Sequence, residues 1–288
     1  MQSTRGMHSS AVAGVIEALL LVALVSIVIS MIQLVYVPQM MQQKEADHMD
    51  AVFNQFSELK SMVDMQAMSR STSPISSMLT LGSPKMPYFL TVPALGKASF
   101  SNVSTSYVKV FPPPGSFPPN GVTLSSVRYE SENSYFVDQT YALEGGGIVV
   151  QQPGSDPVMR ADPSVAAVND STKIVLHVNL PVFIGVPGKL STEGEGKCFI
   201  RTNYSSNQTY FGTIPTNCYI RIYTNFDKAW NQSLHSILGV YDRNGYISVD
   251  RVVASPTSYV QIAPGSKTID LYLTVVQVFV QIGPGWVE

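Results

Sequence analysis

The stretch Glu193-Gly194-Glu195-Gly196-Lys197-Cys198 comes nearest to a chemical motif in this chain, because it resembles the end of a phosphate-binding loop. Two positions spoil it. Ser191 stands where the leading glycine belongs, and Cys198 replaces the hydroxyl residue that would meet magnesium. His8, His48, His177 and His235 are scattered, with no HExxH and no Cys/His metal spacing. His177 lies in an apolar run and reads as a core or sheet-surface residue. Glu144-Gly145-Gly146-Gly147 precedes a strand pattern, whereas a dinucleotide fingerprint follows one, so the glycines read as a bulge or tight turn. Asp156 and Asp162 have no distinguishing context, and Asp242 with Asn244 lacks the further acidic ligands of a calcium loop. The expectation is a protein with no catalytic residues, no metal and no cofactor, and not an enzyme. Only 13% of residues are charged and the formal net charge is −2, without a basic stripe, so no nucleic-acid partner is expected.

What remains is organised by hydropathy. From Ala11 to Val37 the chain is almost wholly apolar, broken by Glu17, Ser26, Ser30, Gln33 and Tyr36. A bilayer core needs ~20 helical residues, and this run would extend ~40 Å, so it is long enough to span. It exceeds the ~7–15-residue apolar region of a cleaved secretory signal. Arg5 on one flank and the mixed, acidic KEADHMD on the other place the N-terminus in the cytoplasm. Pro38 is expected to end or kink the helix. Beyond it, Ala46, Met49, Val52, Phe53, Phe56, Leu59 and Val63 recur at spacings of three and four, which predicts an amphipathic helix packed on a globular head.

After a polar connector around Pro74, short β-branched and aromatic runs alternate with Gly, Pro and Asn turns, the pattern of an all-β sandwich or barrel. SYVKVF and TLSSVRYE flank a proline loop, read as a rigid exposed connection with a polyproline ligand as the alternative. Asn244-Gly245 signals a hairpin turn. The final run TIDLYLTVVQVFVQIGPG, from Thr268 to Gly285, reads as a long strand near the centre of a sheet. One helix is expected within the β region, capped by Asn225 or Asp227, with Trp230, Leu234 and Leu238 on one face. The fold class is therefore α+β: a long N-terminal helix, membrane half then amphipathic half, followed by an all-β sandwich-like head. The boundaries are 1–10 for a leader, 11–37 for the membrane or filament-core helix, 38–70 for the amphipathic helix and 71–288 for the extracytoplasmic head.

An extracytoplasmic head permits oxidation, so Cys198 and Cys218 are expected to pair across a short loop, contributing ~3 kcal/mol in the chain-entropy account. Two unpaired core thiols are the alternative. Five sequons, at Asn102, Asn169, Asn203, Asn207 and Asn231, suggest a glycosylated surface, two of them between the cysteines.

AVAGVIEALLLVALVSIVIS resembles the N-terminus of archaeal type IV pilin-like proteins. YALEGGGIVVQQPGSDPVMRADPSV, LPVFIG and Ala229-Trp230 resemble the ectodomain of an uncharacterised pilin-like group. The resemblance implies a class III signal cut by a prepilin-type peptidase, at Gly6 after Arg5 or at Gly14 beside the apolar run. It also implies membrane insertion and then assembly with copies of itself or other pilin-like subunits by a pilus assembly machinery. In such a subunit Glu17 would pair with a neighbour's new amino terminus and set the helix stagger. The alternative is a permanently membrane-anchored extracellular β-domain that binds glycans, the surface layer or a partner protein, supported by the tyrosines and the proline loop.

Overall fold

A computed structural model describes residues 5–83, 91–113 and 117–283. Helix α1 (Arg5–Met31) runs through a π-helical turn, Ile32–Tyr36, into helix α2 (Val37–Ser69). Pro38 therefore does not end the helix. Its ring lacks an N–H and would crowd the carbonyl four residues back. The turn before it widens instead: the Val37 N–H bonds to the Ile32 carbonyl, five residues back, and Val37 keeps helical angles of φ −61° and ψ −48°. From Ala13 to Ser69 the rod is 57 residues long, or about 85 Å. Arg70, left-handed at φ 52°, closes it.

The head is two sheets. The five-stranded one has the order β1 (Ile75–Thr80), β10 (Lys197–Ile214), β14 (Thr268–Ile282), β8 (Lys173–Gly185) and β7 (Ser164–Asn169). β14 lies at its centre and is parallel to β8, while the other pairs are antiparallel. The second runs β12 (Ile247–Val252), β13 (Tyr259–Pro264), β11 (Tyr219–Tyr223), β2 (Leu95–Phe111), β3 (Val122–Glu132), β4 (Thr140–Glu144), β5 (Gly147–Gln151) and β6 (Val158–Ala161), with β9 (Ser191–Gly194) also on β2. Gly145 and Gly146, both at positive φ (55° and 84°), make the two-residue turn from β4 to β5.

Two cores are buried. Met49, Val52, Phe56, Leu59 and Val63, the stripe of α2, pack with Tyr129, Tyr141, Phe183 and Val278. Full burial of such side chains contributes roughly 1.5–3 kcal/mol each. The helix α3 (Asp227–Arg243) packs Trp230, Leu234 and Leu238 against Ile174, Ile220, Ile262 and Leu271. Long strands serve both cores by changing phase. On β14, Ile269, Leu271, Leu273 and Val275 enter the α3 core, whereas Val276, Val278, Val280 and Ile282 enter the α2 core. Since side chains alternate along a strand, that single slip moves burial from one face to the other.

Three local expectations are corrected here. Neither Asn225 nor Asp227 caps α3; Phe226 is its N-cap residue, without a side-chain bond, and Asp227 instead pairs with Arg251. Asn244-Gly245 is the end of α3 and not a hairpin. Gly245 N–H bonds Asp242 O at 2.8 Å and Tyr246 N–H bonds Tyr241 O at 3.0 Å, the paired bonds of a Schellman motif. Finally, Cys198 and Cys218 are both free and buried. Most of the residues between them form a strand and not a loop: β10, 18 residues from Lys197 to Ile214, extends for tens of ångströms at ~3.3 Å per residue. A disulfide needs Cα atoms within ~7 Å. Cys198 instead packs in the α2 core and Cys218 in the α3 core.

Candidate functional site

One helix is long and apolar enough to cross a membrane, and none of its most apolar window is buried in the fold. Leu19, Leu20, Leu21 and Val22 are 63%, 66%, 61% and 59% exposed. Four consecutive residues sample every side of a helix, so no side of α1 is packed at this level. A helix that is apolar all round is stable only inside a membrane or a larger apolar core. The hydroxyls that interrupt it are satisfied within it: Ser26 Oγ donates to Val22 O at 2.7 Å and Ser30 Oγ to Ser26 O at 2.8 Å. Glu17 is exposed, and no other Asp, Glu, Lys or Arg lies between Ala13 and Lys44. It sits about 28 Å along the axis from Tyr36, close to the ~30 Å thickness of a hydrocarbon core. Gly6 and Gly14 both lie within α1, and a Cβ at Gly14 would meet nothing within 4 Å.

The second half of the rod is bolted to the head by polar groups in phase with its apolar stripe. Glu45, fully buried, accepts backbone N–H bonds from Tyr135 and Phe136 at 2.7 Å each and from Ser134 at 3.2 Å. His48 Nε2 lies 3.2 Å from the Tyr129 hydroxyl, which itself donates to Leu81 O at 2.6 Å. Gln55 both donates to Thr80 Oγ1, at 3.0 Å, and accepts from Thr80 N–H, at 2.9 Å. Gln66, also fully buried, donates to Thr202 O at 2.9 Å and Ser73 O at 3.1 Å. Of these four only His48 was weighed from the sequence, and then as a metal ligand and not as part of the helix–head contact. Their only signal is that 45, 48, 55 and 66 fall near the phase of Met49, Val52, Phe56 and Leu59.

Burial lowers the pKa of His48 below its ordinary 6.5, against weaker raising effects of Leu81 O and Glu45. Unfolded His48 then binds a proton that the folded chain refuses, so stability should fall as pH drops through about 6.5 and level off below the folded-state value. Glu144 slopes the other way. Burial raises its pKa above 4.5, despite bonds from Thr224 and Trp230, so its contribution is complete below 4.5 and is lost as pH rises through the folded value. Comparing urea midpoints of the wild type and His48→Gln between pH 7 and 5 isolates the first effect. The wild type should lose stability more steeply than the variant.

The residues weighed for chemistry do not converge. Asp156 pairs with Lys228, and Asp162 accepts from Ser233 at 2.6 Å, both holding α3. His177 stacks on Tyr272 with ring centroids 4.8 Å apart, and His235 lies 3.4 Å from Asp242. His8 lies in α1. Among the described residues no group of three or more His, Cys, Asp and Glu is placed to hold a metal ion. Asn102 and Asn169 are exposed, whereas Asn203 and Asn207 on β10 and Asn231 on α3 are partly buried. Part of the proline loop, 114–116, and residues 1–4 of the expected leader lie outside the described residues.

No family model matches the chain, and neither a curated protein nor a solved structure matches it.

Proposed function

We propose that this chain is a structural subunit of a type IV pilus-like surface filament. Its α1 helix sits in the membrane before assembly, with the N-terminus cytoplasmic and the head outside, and bundles with copies of itself or related subunits afterwards. A prepilin-type peptidase and an assembly machinery are its expected partners. The observation that carries the reading is an apolar helix with no partner in its own fold, continuous with a second half held rigidly to the head. A plain anchor needs only the first feature. A filament subunit needs both, because head positions around a helical bundle are set only if the rod transmits them.

The bundle would bury apolar surface at ~25 cal/mol per Å², and it gives Glu17 a use. Cleavage after Gly14 would make Glu17 the third residue, about 3 Å along the helix from the new terminus at Val15. Cleavage after Gly6 would leave it about 15 Å from the new terminus at Met7, beyond the reach of a neighbour's terminus at the same level. The intact mass of the mature chain tests this. A chain beginning at Val15 supports the role of Glu17, and one beginning at Met7 removes the pairing with the amino terminus. An uncut chain supports the alternative, a permanently anchored β-domain.

A further inference from the structure

On the outer face of the nine-stranded sheet, three tyrosines stand side by side across three strands. Tyr107 of β2 is opposite Tyr223 of β11, which is opposite Tyr259 of β13. Their ring centroids are 4.5 Å and 4.8 Å apart, and all three are partly exposed. They form one side of a notch of about 270 Å³, whose other walls include Thr105, Ser255 and Thr257. No Asp, Glu, Lys, Arg or His lines it. Arg221, which lies over the Tyr259 ring at 4.8 Å, is already engaged by a hydrogen bond to Gln261 at 2.9 Å. Burial and the neighbouring Tyr223 push the Tyr107 phenol up, so it stays neutral.

Cross-strand tyrosine pairs stabilise a sheet, which alone would explain the stacking. It does not explain why the stack borders a notch whose other walls are Ser104, Thr105, Ser255 and Thr257 beside Ala254 and Pro256. Each aliphatic hydroxyl offers one donor and two acceptor positions, and each phenol a donor and an acceptor, beside aromatic surface, with no charged side chain in the lining. A pyranose has the matching chemistry: an apolar C–H face and a rim of hydroxyls. The volume is near the small end of the ~300–1,000 Å³ range of ligand pockets, which fits one or two sugar rings at the end of a longer chain. We infer that the Tyr107–Tyr223–Tyr259 notch is a binding site for a neutral glycan. The inference stands whether α1 ends in a bundle or in a bilayer, since no residue of the helix takes part.

Neutral sugars reach a surface protein from two sources, another cell's or layer's glycans, or the N-glycans of this chain itself, whose sequon Asn102 comes three residues before Thr105 on β2. The test uses the full chain in lipid nanodiscs, made in a host that does not N-glycosylate, with saturation-transfer NMR. Neutral glucose, mannose and galactose trisaccharides are the probes, and a polygalacturonate trisaccharide is the charged control. At least one neutral probe should bind, the charged control at least tenfold more weakly. Thr257→Ala and Tyr259→Phe, which keep the stack, should each weaken binding at least fivefold with an unchanged melting temperature. Binding that N-glycosylation blocks and Asn102→Gln restores assigns the notch to the chain's own glycan; binding insensitive to glycosylation assigns it to an external one. Absence of transfer to every neutral probe, equal binding of the charged control, or unaltered binding by both variants overturns the inference.

Discussion

Glu17→Gln should abolish or reduce filaments at least tenfold while leaving the amount of chain in the membrane unchanged. The side chain is the lone carboxylate on a helix otherwise exposed as aliphatic surface. Near the edge of the hydrocarbon it costs little to insert, whereas at the centre it would cost roughly 2.5–3.5 kcal/mol on insertion scales. Gln keeps size and hydrogen bonding but removes the charge that, in the proposed filament, would pair with a neighbour's amino terminus. An ion pair in a low-dielectric bundle is sensitive to that loss, because removing one partner leaves the other charge buried alone, at about 3–5 kcal/mol per contact. Membrane insertion, which the charge does not favour, is unaffected. Immunoblots of sheared filaments and of membranes from the same cells read both quantities. Wild-type filament yield from the variant would remove the role assigned to Glu17.

Glu45→Ala is expected to lower the stability of the head by about 2–4 kcal/mol. Three backbone N–H groups converge on this one carboxylate, and hydrogen bonds to a charged acceptor are worth ~1.5–3 kcal/mol each. The loss is smaller than their sum because Ser134 is exposed and its amide can turn to water. For comparison, Phe56→Ala should cost about 3–5 kcal/mol by leaving a cavity in the α2 core. The two are distinguished by where the damage falls. Hydrogen exchange should rise selectively at Ser134, Tyr135 and Phe136 in Glu45→Ala, and across α2, β4 and β14 in Phe56→Ala. Uniform protection of residues 134–136 in both variants would show that Glu45 does not hold that loop.

Much of this architecture can be read from residue spacing, and the failures have physical causes. Met49, Val52, Phe56, Leu59 and Val63 repeat at three and four, and all five are buried. Trp230, Leu234 and Leu238 behave alike on α3. The run of β-branched residues on β14 marks a strand buried deep in a sheet, and its central position follows. Its change of phase at Val275-Val276 was not legible, because a continuous apolar run hides which face is in use. Pro38 misleads because the rule against helix-interior proline assumes α geometry throughout, and a π turn relieves the conflict. Asn244-Gly245 misleads because a left-handed glycine closes a helix as readily as a hairpin. The cysteines mislead because the segment between them, rich in Asn, Ser and Thr, has a loop's composition and is a strand. Glu45, His48 and Gln66 lie in phase with the stripe of α2, but only the docked head reveals why polar groups belong there.

The central claim is that α1 is built to meet other copies of itself, and the composition of surface fibres tests it most directly. Filaments sheared from cells and purified by density should contain this chain, identified by mass spectrometry, with an N-terminus trimmed to Val15. Fibres without it, and a full-length chain found only as a monomer in the membrane fraction, would contradict the account.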